Sequence, residues 1–71
     1  MYTAATIGNY IKIIDAKTGA TKKRIKYPGT LIQGPVVAGT EMSITVRVSP
    51  SLTFVLIYSV PHGGLRRRVR L

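Results

Sequence analysis

Acid is what this chain has least of. Asp15 and Glu41 stand against eleven lysines and arginines, leaving a net charge of +9 on 71 residues. That balance is too lopsided for an ordinary solubility surface. It attracts nucleic acid, an anionic membrane or an acidic protein surface. Cysteine is absent as well, which removes disulfides and thiolate metal sites. His62 and two distant acids do not make a metal site, and no cofactor is expected. A chain this short buries a modest fraction of its surface. With disulfide and metal excluded, the remaining support is oligomerisation or docking on a larger body, so a homo-oligomer or a place in a larger assembly is expected.

Other absences narrow the function. "MYTAATIGNY" has neither a basic n-region nor a long apolar run, so no signal peptide is expected. The longest uncharged stretch, 48–65, is broken by Pro50, Pro61 and the Gly63–Gly64 pair, and is not a membrane span. The expected location is the cytoplasm, or a virion assembled there. His62 sits in the turn "VPHGG" with no nucleophile or acid spaced to work with it. Asp15 opens "DAKTG", where its carboxylate serves the turn, and Glu41 is placed to pair with a neighbouring cation. No GxxxxGK[ST] loop occurs, and Gly63–Gly64 precede a strand and not a helix. The chain reads as a non-enzyme.

What is present is strand pattern. Residues 10–15 and 52–59 are rich in Ile, Tyr, Val and Leu, and 41–48 alternates with Met42, Ile44, Val46 and Val48 on one face. No window has a helical apolar period, and four prolines and seven glycines punctuate the chain. Sliding the sequence by 44 residues lays "IKIIDAKTGATKKRIKY" (11–27) over "VLIYSVPHGGLRRRVRL" (55–71) without a gap. Ile13 then meets Ile57, Gly19 meets Gly63, and Lys22, Lys23, Arg24 and Lys26 meet Arg66, Arg67, Arg68 and Arg70. Each copy reads as strand, tight turn, strand. The middle segment 27–39, with its Pro–Gly and Gly–Pro pairs, reads as a connector that could hold short edge strands at "LIQ" and "PVV". The expected fold is all-β: a small barrel or sandwich of about six short antiparallel strands. It would form one domain over 1–71, as a tandem of two three-stranded units over 2–27 and 41–71.

"GPVVAGTEMSITVRV" followed by "VLIYSVPHGGLRRRVRL" resembles a blade of a β-propeller of the quinoprotein or WD-like kind, and "IKIIDAKTG" resembles the third strand and turn of the preceding blade. The 44-residue spacing suits such blades. The resemblance implies a propeller completed by several chains, since stacked repeats need about three or more units.

The charge is concentrated. Eight of the eleven cations fall in "TKKRIKY" and "LRRRVRL", and five of those eight are arginine. Strand alternation puts Lys22, Arg24 and Lys26 on one face of the first run, opposite Ile25 and Tyr27. It puts Arg66, Arg68 and Arg70 on one face of the second, opposite Leu65, Val69 and Leu71, the expected core side. Cations so placed recur about every 6.5–7 Å, near the phosphate repeat of an extended single strand. A basic edge strand also resists aggregation, but one or two charges per strand suffice for that. Arginine matches phosphate oxygens with its planar fork. Tyr10 is the candidate stacking residue, while Tyr27, Phe54 and Tyr58 read as core. No RNP, KH or helix-turn-helix pattern supports sequence-specific reading.

Two functions fit. One is non-specific nucleic-acid binding through the two basic strands. The other is a structural subunit of a capsid, decoration layer or filament, its basic face toward genome or acidic neighbours.

Overall fold

In the computed structural model, which describes residues 1–71, the chain is all-β. Seven antiparallel strands follow one another: β1 (Tyr2–Ile7), β2 (Tyr10–Asp15), β3 (Thr21–Lys26), β4 (Thr30–Ala38), β5 (Glu41–Ser49), β6 (Leu52–Ser59) and β7 (Leu65–Arg70). They form a three-stranded sheet, β1-β2-β3, and a four-stranded sheet, β4-β5-β6-β7. No helix long and apolar enough to cross a membrane occurs.

The first unit falls where the sequence places it. The second begins earlier than expected, because residues 30–38 pair with β5 as one nine-residue edge strand that takes in both "LIQ" and "PVV". Gly34 and Pro35 are absorbed by register shifts between Leu31 and Gln33 and between Gln33 and Val36. β4 lies at a sheet edge, where a proline without an N–H is tolerated.

The 44-residue correspondence holds in the backbone. The Gly19 N–H donates to Asp15 O at 2.7 Å, and the Gly63 N–H donates to Ser59 O at 2.7 Å. The closing bonds match too: Asp15 N–H to Ala20 O at 2.9 Å and Ser59 N–H to Gly64 O at 2.8 Å. Gly19 and Gly63 both sit at φ 78°, the left-handed region that glycine reaches without cost. Ile11 faces Ile25 as Val55 faces Val69, and Lys12 faces Arg24 as Leu56 faces Arg68. Even the register shift recurs, between Ile13 and Ile14 in one hairpin and between Ile57 and Tyr58 in the other.

The two hairpins nonetheless turn opposite faces to the core. Ile11, Ile13 and Ile25 of the first are buried against Met42, Ile44, Val46, Leu56, Tyr58 and Val60 of the four-stranded sheet. The second hairpin buries Leu56 and Tyr58, so Val55, Ile57 and Val69, the counterparts of Ile11, Ile13 and Ile25, face away. The expectation that Leu65, Val69 and Leu71 pack inward is overturned: they are 55%, 44% and 72% exposed. Val69 lies on the outward face, and Leu65 is uncovered at the sheet edge although the register shift sets it opposite Tyr58. Val48 departs as well. The register shift between Arg47 and Ser49 takes it off the row of Met42, Ile44 and Val46 and leaves it exposed. Tyr27 and Phe54 pack partly buried against the core, and Tyr58 is buried, as the sequence suggests. Burial raises the Tyr58 phenol above its ordinary pKa.

Nine buried residues are a thin core, so the link between the sheets matters. It turns at Gly29, which has φ +69° and lies so close to the Arg47 carbonyl that a Cβ would collide with it. Gly29→Ala is expected to cost about 2–4 kcal/mol. Gly8→Ala, at φ +59° with nothing near its Cβ position, carries only the backbone cost of about 1 kcal/mol or a little more. Thermal melts of the pair check this: equal losses would contradict the close approach at Gly29.

Candidate nucleic-acid interface

Both basic runs become edge strands, β3 of one sheet and β7 of the other. Every β7 side chain is exposed, and in β3 only Ile25 is buried. The edges share a flank. β1 packs beside β4 at the opposite edges of the two sheets, and Gly63, just ahead of β7, lies against Lys23 and Ile25 of β3.

On the outer face of the three-stranded sheet, register assembles a patch that neither run contains alone. Tyr10 stands opposite Lys26, and Lys12 stands opposite Arg24. Directly opposed residues share a face, so Tyr10, Lys12, Arg24 and Lys26 form two adjacent rows. Tyr10 and Lys12 are half-buried, while Arg24 and Lys26 are exposed. Lys22 leaves the row. β2 pairs Ile13 with Lys23 and Ile14 with Thr21, which makes Lys22 the extra residue of a bulge. Thr21, Lys22, Lys23 and Arg24 line a shallow, open depression there with no hydrophobic residue in its wall.

The second run is divided by the same device. Arg66 is skipped between the pairs Ile57–Arg67 and Tyr58–Leu65. Its guanidinium instead reaches Glu41, Nη1 to Oε2 at 3.6 Å. Arg68 and Arg70 face Leu56 and Phe54 and so extend from the core side of the sheet, beyond the part the other sheet covers. The Arg68 guanidinium lies over the Phe54 ring, 5.3 Å from its centroid, an arrangement that stiffens a long side chain. The Leu71 N–H donates to Thr53 O at 2.9 Å. Antiparallel bonding alternates, so the Arg68 and Arg70 N–H groups point from the open edge and add two backbone donors.

Both acids are already engaged. Asp15 Oδ1 accepts the Lys17 N–H at 2.9 Å. That bond chiefly holds its pKa below the ordinary value, with Thr18 and the Lys22 charge adding to it against some desolvation. The turn bond is thus present at neutral pH and is lost as pH falls through the lowered pKa. Glu41 holds Arg66 through two exposed side chains, a contact of little net worth. The other cations of β3 and β7 have no acidic partner within salt-bridge distance. His62 is exposed in its turn, and no three His, Cys, Asp or Glu side chains come together.

Comparison with known proteins finds no matching family model, no matching curated protein and no matching solved structure.

Of the six cations singled out from sequence, Arg24 and Lys26 form one tract and Arg68 and Arg70 another, while the bulges remove Lys22 and Arg66. Lys12 and Phe54 are additions. Lys12 was legible from alternation with Tyr10, which puts both on one face. Phe54 was not, because its ring serves both the core and Arg68.

Proposed function

We propose that this protein binds nucleic acid non-specifically through the flank formed by β3 and β7. The observation that carries this reading is the placement of two cation tracts on exposed edge strands with almost no acid to neutralise them. Such a surface gains affinity by releasing counterions from phosphates and takes no account of sequence. The Arg68–Phe54 contact and the outward N–H groups of β7 suit phosphate contacts, which position a strand without reading it.

Fluorescence anisotropy with labelled oligonucleotides of unrelated sequence at ~50 mM salt tests it. Affinities equal within a few-fold across sequences are expected, with polyglutamate of the same charge binding more weakly. Tighter binding to polyglutamate would place an acidic protein surface in the role assigned here to phosphate.

One observation favours the structural-subunit reading. Val36, Val55, Ile57 and Val69 lie on the outward face of the four-stranded sheet with nothing over them, and Val36 and Val69 are 58% and 44% exposed. The counterparts of Val55, Ile57 and Val69 in the first hairpin are core. Light scattering after nuclease and high-salt washes decides between the readings. A nucleic-acid-free oligomer dissolved by Ile57→Lys supports a subunit, and a monomer supports binding alone.

A further inference from the structure

Resting on the nucleic-acid reading above, we propose that the outer face of the three-stranded sheet is a platform for single-stranded nucleic acid. Tyr10 stacks against a base there, and Lys12, Arg24 and Lys26 hold the phosphates. The face is graded from one edge to the other. β1 contributes Thr3, Ala5 and Ile7, of which Ala5 stands opposite Lys12 and Ile7 opposite Tyr10. These side chains are small or aliphatic and give a low, uncharged surface. β2 contributes Tyr10 and Lys12, and β3 contributes Lys26 and Arg24 opposite them. Apolar surface, ring and charge therefore succeed one another across three strands.

That order matches the cross-section of one nucleic-acid strand laid along β3. Its phosphates meet the cations, and its bases reach inward over Tyr10 and Ile7. Successive cations on β3 stand about 6.5–7 Å apart, close to an extended phosphate repeat. Tyr10 is half-buried, so its ring is partly fixed before any base arrives and loses little freedom on stacking. No side-chain hydrogen bond holds its hydroxyl to the rest of the protein. In a duplex the bases are already stacked on one another, and only phosphates are available to this face. Single strands are thus distinguished from duplexes by Tyr10, not by the cations.

The test uses three probes: a thymidine decamer, an abasic sugar–phosphate decamer of equal charge, and a duplex long enough to stay paired, each followed against its own affinity for the intact protein. The intact protein should bind the thymidine decamer more tightly than the abasic one. Tyr10→Leu keeps apolar bulk at the site, and a thermal melt verifies its fold. It should weaken thymidine binding by about 5- to 100-fold. Abasic and duplex affinities should stay within about two-fold, since the electrostatic contribution is untouched. Tyr10→Phe should retain thymidine binding and lose the quenching of tyrosine emission that the oligomer causes in the intact protein. Equal affinity for thymidine and abasic decamers, unchanged by Tyr10→Leu, would overturn the platform and leave binding by charge standing. Failure to bind any of the three would overturn both.

Discussion

Ile25→Gln is expected to unfold the chain, and Val69→Gln to leave it folded. The two residues hold equivalent places in the two basic runs, and sequence alone assigns both to the core. Ile25 is 7% exposed and belongs to the cluster shared by both sheets, whereas Val69 is 44% exposed on the outward face. Removing a buried isoleucine costs about 2–5 kcal/mol. Enclosing an amide among Ile11, Ile13 and the Gly63 turn adds about 1–3 kcal/mol. A chain of 71 residues has about 4–10 kcal/mol of stability in total, so the sum exhausts most or all of it. Val69→Gln forfeits only part of one side chain's burial, about 1 kcal/mol. In a thermal melt that is a fall of about 4–8 °C. Circular dichroism should show β structure at ~25 °C and a cooperative transition on heating for Val69→Gln, and neither for Ile25→Gln. Equal behaviour would mean that the two hairpins do not present opposite faces.

The second large effect is on affinity. Replacing Lys12, Arg24, Lys26, Arg68 and Arg70 together by Gln should weaken single-strand binding at ~50 mM salt by about 10³-fold or more. Each phosphate contact on a single strand contributes about 0.7 of a counterion to the salt exponent, so five contacts carry most of a non-specific binding constant. The fold should survive, since Arg24, Lys26, Arg68 and Arg70 are exposed and Lys12 is half-buried on an open face. Replacing Lys22 and Arg66 should do far less. One stands on a bulge, and the other is turned toward Glu41. If the charges merely guard the sheet edges, the five-fold variant aggregates and affinity hardly moves.

These contrasts mark what the chain's pattern discloses. Alternation of Met42, Ile44 and Val46 located a core strand, and the 44-residue correspondence located both hairpins and their turns. Three bulged residues, Lys22, Val48 and Arg66, escaped, because a single inserted residue reverses alternation without any change in composition. Which face of a hairpin is buried was also hidden. Ile11, Ile13 and Ile25 match Val55, Ile57 and Val69 in chemistry, and only the sheet stacked on one side separates them. The Pro–Gly and Gly–Pro pairs concealed that "LIQ" and "PVV" belong to one continuous strand, because an edge strand tolerates interruptions that a central one does not. For the candidate site, charge density pointed to β3 and β7, but pairing across β2 and β3 was needed to bring Lys12 and Tyr10 beside Arg24 and Lys26.

The salt dependence of single-strand binding tests the central claim most directly. Lys12, Arg24, Lys26, Arg68 and Arg70 predict that log K falls with log salt at a slope of about −3.5. Arg68→Gln with Arg70→Gln should bring the slope to about −2, the share of the three cations on the other sheet. A slope near zero, the same slope in the double variant, or no binding at ~50 mM salt would contradict the account.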